Sequence, residues 1–506
     1  MQDLANSEIY DRQTRLWGVH GQRNIINSTI FSLGSDTIAT EVLKSLVLTA
    51  FGHIIIVDDA KVDEDDIKTN FYVEQSDLGK SRAEAAKRLL QELNPAAKFD
   101  VIEKSPEDPS VLSSIPENAI VVSTGVRKSS FIEAVDNYCR AHNNKYVHVE
   151  SIGFFGQFYI DAQIRYFLEA TLSADSPKDF RILNPFPELK EFFESINLDT
   201  IDDTHHDRLP YIVILYNVRK SLEKSTGRTK FTSKDLDLIR EEIKKFARNL
   251  VEFSYNEATQ DANLVYGDCL VYQTSITSAL SLLDEIPADL NLPFFRLLRS
   301  VKKFIDAHHE YPHYGLIPDM EAHPDYFNAL KKIYKEKADK DWAEIIADAE
   351  KTGEPIDPFF IKRFRENIWR LGGSISKPMI ESLKSSLMVY NDITYSVCQA
   401  HLAIEAVREF YEKKGVYPKK EDSKEIDQIM KTLGAFLQEQ YPNDNSIKYA
   451  ESISLMNGKI LPSVVATIAA CAAQEIVKLA IDQNEIIRNG VAFDALQGQM
   501  LPLPCF

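Results

Sequence analysis

The 506-residue sequence predicts an α/β fold: an open, mostly parallel sheet, doubly wound with helices and interrupted by a large, mostly helical insertion. Two observations predict it. Residues 1–165 alternate short apolar runs with helix-periodic stretches, the pattern of strands joined by crossover helices. Residues 166–445 are dominated by long helical patterns, and residues 446–506 return to the strand-and-helix texture of the start. The economical reading makes 1–165 and 446–506 one α/β unit, with 166–445 inserted into it.

Each element has its own signal. STIFSLG and HIIIVDD are short apolar runs, as expected of strands buried on both faces. Between them Ile38, Val42 and Leu46 recur every fourth residue beside Ala39, Leu43 and Val47, which marks one face of a helix. SRAEAAKRLLQELNP follows as a helix stopped by Asn94-Pro95, and FDVIEK as a strand. NAIVVSTG is a further strand, then come the helical SSFIEAVDNYCRAHN and the strand-like KYVHVES. In the insertion, SKDLDLIREEIKKFARNLVEF, PDYFNALKKIYKEKADKDWAEIIADAEK and SVCQAHLAIEAVREFYEKK read as helices, and LPYIVILY as a strand-like return to a sheet. The closing segment offers a helix over 462–480 and a strand at VAFDAL.

Composition excludes several classes. A formal net charge of -18 leaves no basic face for a phosphate backbone, so no nucleic-acid partner is expected. Cys139, Cys269, Cys398, Cys471 and Cys505 are scattered without a C-x-x-C pair, which argues against paired-cysteine zinc and for a reducing compartment. The opening MQDLANSEIYDRQ is polar and acidic, unlike a secretory signal. The longest uncharged run, Ile460 to Gln474, falls short of the ~20 residues that cross a bilayer. It reads as a buried helix starting near Pro462. No membrane partner is expected, and the chain reads as soluble and intracellular.

The stretch IFSLGSDTIATEVL has the outline of a nucleotide-binding βα turn, where phosphates rest on a helix N-terminus. Gly34 keeps the tight turn. Asp36 stands where a second glycine would let the backbone approach the phosphates, and Ala39 holds the next small position. A carboxylate about 4 Å from a phosphate charge costs roughly 4 kcal/mol at an effective dielectric of 20. Asp58, at the end of the second strand, occupies a position where an acid often holds a ribose. Without the glycines it does not make a dinucleotide site.

The opening YDRQTRLWGVHGQRNI resembles the start of the ubiquitin-like-modifier activating enzymes, in which a Tyr-x-Arg-Gln helix precedes Gly-x-x-Gly-Gln. The segment GHIIIVDDAKVDEDDIKTNFYVEQSDLGKSRAEAAKRLLQELNP resembles the family's next segment throughout. Catalytic members carry there an Asp-x-Asp and an Asn-x-Asn-Arg-Gln that grip ATP and magnesium. In this chain Asp58 keeps the first acid and Ala60 replaces the second; Asp66 and Lys68 replace the asparagines, Thr69 and Asn70 the Arg-Gln. Arg82 stands for the family's lysine after Asp-x-Gly, and Gly125 for a metal-binding acid. The resemblance implies a Rossmann-like adenylation domain of the ThiF/MoeB type whose own site (Gly34, Asp36, Asp58, Ala60, Thr69, Gly125) is degenerate. No cofactor and no metal are then expected on this chain.

Members of that kind are regulatory subunits paired with a catalytic one. NPFPELKEFFESINLD, RLPYIVILY, STGRTKF, GLIPDMEAHPDYFNALKKIYKEKADKD and LPSVVATIAACAAQEIVKLA resemble the regulatory branch serving neddylation. The implied partners are a catalytic subunit holding Mg-ATP and the ubiquitin-like modifier, with the conjugating enzyme left open. The insertion would be half of a catalytic-cysteine domain, and none of the five cysteines sits in an activating setting. The histidines at 205, 206, 308, 309, 313 and 323 lack a metal-binding spacing and read as solvated loops. In the first helix Ile9, Tyr10, Gln13, Leu16 and Trp17 form one arc, with Arg12 just beyond its edge. The resemblance implies that Arg12 reaches the partner's ATP site in trans. A sumoylation counterpart and a pure scaffold are the competing readings, along with an autonomous nucleotide-dependent enzyme.

Overall fold

The computed structural model describes residues 8–168, 178–248, 252–267, 270–379, 381, 395–435, 445–481, 486–487 and 490–503. The chain packs into two units, residues 1–165 with 374–506, and residues 166–373. The insertion therefore ends well before the 445 that the sequence suggested. The reason lies in the helix Tyr395–Lys414, whose buried face (Cys398, Leu402, Ala403, Val407) packs with Ile152 and Phe155 of the sheet. A run of helices after a helical insertion carries no mark of which core each one joins.

The first unit opens with helix α1 (Asp11–Asn27), followed by β1 (Thr29–Leu33), α2 (Thr37–Leu48), β2 (His53–Val57), α3 (Glu64–Thr69), α4 (Arg82–Leu93) and β3 (Lys98–Ile102). Then come β4 (Ile120–Thr124), α5 (Ser129–Ala141), β5 (Lys145–Ile152) and β6 (Phe155–Asp161). After the insertion the chain adds Tyr395–Lys414, Ser423–Leu433, Ser446–Met456 and Pro462–Ile481, and ends with strands Gly490–Asp494 and Gln499–Pro502. Strands β3-β2-β1-β4-β5 are parallel, with Ile30 opposite Ile54 on one side and Ile120 on the other. β6 and the last two strands extend this sheet antiparallel.

Side-chain alternation explains the double winding. Along β1, Ile30 faces a core shared with Val42 and Leu46 of α2 and Ile468 and Ala472 of Pro462–Ile481. Phe31 and Leu33 share the opposite core with Ile132 and Val135 of α5. The helix Pro462–Ile481 has 20 residues, longer than the uncharged run in the sequence and long enough by length and composition to cross a membrane. Its burial in the sheet's core, where Ala469, Ala472 and Ala473 permit close approach, makes it the central helix of a folded domain.

The second unit is built around Phe180, Leu189, Phe193, Leu330 and Tyr334. LPYIVILY belongs to a helix, Tyr211–Thr226, and to no strand: Tyr211 through Tyr216 are all buried. A short segment that is apolar on every side shows no period, so the sequence could not separate helix from strand there.

Candidate functional site

Beyond the C-terminal ends of β1 and β4 and at the end of β5 lies a cavity of about 580 Å³, in the crevice where a parallel sheet offers a binding site. Asp36, Thr37, Asp66, Lys68, Thr69, Gly125, Ile152, Tyr417 and Lys459 are among its walls. What would be the phosphate end is already filled by the chain itself.

Asp36 is the N-cap of α2. Its side chain accepts the Ala39 N–H at 2.9 Å and the Thr124 hydroxyl at 2.9 Å. A helix N-terminus attracts anions because its first N–H groups lack partners. Here an internal carboxylate takes that place, so Asp36 both repels a phosphate and occupies its donors. The Cβ of any residue at 125 would lie 3.5 Å from Asp36 Oδ2, and Gly125 itself has φ +75°. The family's acid at this position would crowd a second carboxylate against the first, in a backbone conformation that favours glycine.

Asp58, 2% exposed, is equally committed. It accepts the Ser35 N–H at 3.0 Å, the Ser35 hydroxyl at 2.6 Å and the Ala60 N–H at 3.0 Å. Arg82 donates to it through Nε at 3.0 Å and Nη2 at 2.9 Å, and to Asp66 through Nη1 at 3.3 Å. Burial would push the Asp58 carboxyl up, but Arg82 and the three donors hold it below the ordinary carboxylate range. Asp66, held by longer contacts from Arg82 and the Asp63 N–H at 3.2 Å, is raised by burial despite both. The Arg82 guanidinium is only 19% exposed and is locked in its charged form by Asp58, Asp36 and Asp66, against the cost of its own burial. Thr69 bonds Thr37 at 3.1 Å, and Asn70 accepts the Thr40 hydroxyl at 3.1 Å. Of the positions the sequence marked as degenerate, Asp36, Thr69 and Gly125 line the cavity, whereas Gly34, Asp58 and Ala60 are not among its walls. The side chains of Asp36, Asp58 and Thr69 are engaged by neighbouring groups of this chain.

Arg12 lies elsewhere on the unit, exposed on α1, and among the described residues it makes no hydrogen bond or ion pair. Arg15 pairs with Asp11 at 2.9 Å, as its spacing predicts. The predicted apolar arc divides. Tyr10 and Trp17 are buried, with Trp17 Nε1 donating to Gln22 at 2.9 Å, while Ile9 and Leu16 are 84% and 68% exposed. Gln13 bonds the Leu48 carbonyl at 3.0 Å, and Leu48 is exposed as well. Arg12 is three residues after exposed Ile9 and four before exposed Leu16, so by helical spacing it shares their uncovered side of the opening segment.

No cysteine among the described residues is an exposed nucleophile. Cys139 and Cys398 are buried, and Cys471 is half-buried. Burial, helped by Asp136 and Asp161, pushes the Cys139 thiol up; burial and Glu475 do the same to Cys471. Cys269 and Cys505 lie outside the described residues. The histidines differ from expectation: His206 and His313 are buried rather than solvated. His206 bonds Glu252 at 3.0 Å and the Tyr255 hydroxyl at 2.8 Å, and burial pushes the His313 imidazole down to about 4. Among the described residues no group of three or more ligand-type side chains could hold a metal.

A second polar cluster carries no sequence motif. Ser123 Oγ lies 2.7 Å from His148 Nδ1, and His148 Nε2 lies 3.2 Å from Glu150. Glu150 is paired with Arg408 and Gln157, which ties β5 and β6 to Tyr395–Lys414. The line resembles a hydrolase relay, yet Ser123, His148 and Glu150 are fully buried and no substrate could reach them. It serves as a polar core contact between residues 258 apart, which is why no motif announced it.

The description of the ThiF family matches residues 10–505, and the chain belongs to that family. Over 96% of both chains it is 28% identical to a Xenopus laevis NEDD8-activating enzyme E1 regulatory subunit. It is 30% identical to the Arabidopsis thaliana subunit AXR1, over 74% of this chain and 67% of that one. A Dictyostelium discoideum SUMO-activating enzyme subunit 1 is 26% identical over only 50% of this chain and 77% of its own.

Proposed function

We propose that this chain is the regulatory, non-catalytic subunit of a heterodimeric activating enzyme for the ubiquitin-like modifier of neddylation. One observation carries the reading. The cavity that would hold ATP has its phosphate end closed by Asp36 and by the Arg82 bonds to Asp58 and Asp66, in a chain whose near-full-length relatives are named regulatory subunits. Mg-ATP is bound by the catalytic subunit, which adenylates the modifier's C-terminus and then carries it as a thioester. This chain binds no cofactor or metal of its own.

Its contribution is the partner's fold and one cation. Arg12, which among the described residues makes no hydrogen bond or ion pair, lies on the same first helical segment as exposed Ile9 and Leu16, a stretch suited to burial against another protein. A guanidinium entering the partner's site from there would neutralise charge on the transferring phosphates. An obligate pair should bury above ~2,000 Å². The coverage of the SUMO-type relative, half of this chain, favours the neddylation branch over the sumoylation one. The setting proposed is the cytoplasm and nucleus.

The test is co-expression with candidate catalytic subunits, followed by ATP-dependent thioester formation with each modifier. Activity is expected only for the pair and only with the neddylation modifier. Thioester formation by this chain alone, or ATP binding by it in the micromolar range, would overturn the reading.

A further inference from the structure

The chain leaves the sheet unit at the end of β6 and re-enters it at Ser374, and the two crossing points are stitched together within that unit. Ser376 N–H donates to the Gln163 carbonyl at 2.8 Å, and Ala162 N–H donates to the Ser376 hydroxyl at 3.2 Å. Arg140 of α5 reaches both segments: Nη2 donates to the Ser376 carbonyl at 2.7 Å and Nε to Asp161 at 2.5 Å. One turn earlier on α5, Asp136 accepts the Met379 N–H at 2.7 Å.

Two acids thus compete for one guanidinium. Arg140 Nε is 2.5 Å from Asp161 and 3.9 Å from Asp136. Both acids are buried, at 1% and 2% exposure, and Asp136 Oδ1 has no hydrogen-bond partner. A single proton removes the surplus charge and gives the orphaned oxygen a partner, because a carboxylic O–H on one acid can donate to the other. We propose that Asp136 and Asp161 share one proton and so form a pH-sensitive clasp on the segments by which the chain exits and re-enters the sheet unit.

The surroundings support it. Cys139 and Arg140 face the pair from α5, and Lys145 and Tyr146 from β5, with Tyr146 directly opposite Asp161. Gln163 donates its N–H to Asp161 at 2.7 Å and its side-chain amide to the Cys139 and Asn144 carbonyls. Arg140 and Lys145 are the cations in this set, and Arg140 already serves the Ser376 carbonyl. Burial, with the Asp136 carboxylate second, raises the Asp161 carboxyl to about 7, Arg140 opposing. Loss of the proton to water above neutral pH leaves two carboxylates facing each other. Residues 374 and 375 end a short strand, Gly372–Ile375, paired with Ile164–Phe167, and residues 376–379 beyond it are tied through Ser376 and Met379 to the Arg140 and Asp136 cluster.

Hydrogen–deuterium exchange on the full chain tests this, with rates corrected for intrinsic base catalysis, from about pH 6 to 8.5. Protection of residues 374–379 should fall through neutral pH by up to about tenfold per pH unit, as one-proton linkage requires. Asp161→Asn, which mimics the protonated acid, should flatten that step. If Asp161→Asn does not fold, Asp136→Asn carries the same expectation. An infrared band of a protonated carboxyl that titrates near neutral pH in the unaltered chain reads the proton without any variant. Flat corrected protection, an unchanged step in the folded variant, or no such band would overturn the proposal.

Discussion

Replacing Arg82 with Met removes the group that holds the degenerate site together. Three hydrogen bonds vanish, two to Asp58 and one to Asp66, and two largely buried carboxylates lose the cation they share. Breaking a buried pair by deleting one partner costs about 3–5 kcal/mol, because the remaining charge is left without compensation. The first unit has roughly 300 residues, for which the unfolding entropy is about 0.6 kcal/mol/K. A loss of about 4 kcal/mol should then lower Tm by about 6 °C. The pH dependence follows from Asp58. Its carboxyl lies below the ordinary range in the native chain, so its stabilisation is present above pH 3.8 and lost as pH falls through the depressed value. In the variant the unpaired acid takes up a proton earlier, so the gap between the two melting curves should narrow with acidification. Calorimetric melts at neutral and mildly acidic pH measure both effects. A neutral-pH shift under about 2 °C would refute the claim that Arg82 is a structural lock, and would reopen it as a free cation available to an anionic ligand.

Three further outcomes are expected. Arg12→Ala should leave folding and pairing intact but slow ATP–pyrophosphate exchange by the heterodimer at least about tenfold; a normal exchange rate favours the scaffold reading. Asp36→Ala removes the α2 cap and the Thr124 bond and should cost about 1–2 kcal/mol in chemical denaturation, without conferring ATP binding, since Arg82 stays engaged. Leu16→Asp changes an exposed side chain, so the isolated chain's Tm should stay within about 1–2 °C while co-purification with the catalytic subunit fails.

Much of the site was written in the chain because its parts are local. The turn at Gly34, Asp36 and Ala39, the strand end at Asp58 and Ala60, and the helix carrying Asp66 and Thr69 are short-range patterns, and their positions in an α/β order bring them to one edge of the sheet. The alternation of strands and helices over the first 165 residues likewise reflects periodicities of two and 3.6 that a sequence displays directly. The same logic limited the rest. LPYIVILY is apolar without a period, and Tyr395–Lys414 is amphipathic without a label saying which core it joins. Ile9 and Leu16 share the helical arc of Trp17, but which side of the arc meets the sheet unit depends on residues far away in sequence.

The sequence by itself determined which residues stand at the βα turn and the strand ends, Asp36, Ala60, Thr69 and Gly125, since identity is written residue by residue. That they replace a glycine, a second acid, a phosphate-binding arginine and a metal acid is what the family resemblance implies. Only the tertiary structure decided what occupies the site: a carboxylate capping the helix that would cradle a phosphate, and an arginine spent on two buried acids. The Asp136–Asp161 pair and the Glu150–Arg408 bridge also belong to the fold alone. Charges separated by long stretches of chain acquire meaning only when folding strips their water and sets them within a few ångströms of each other.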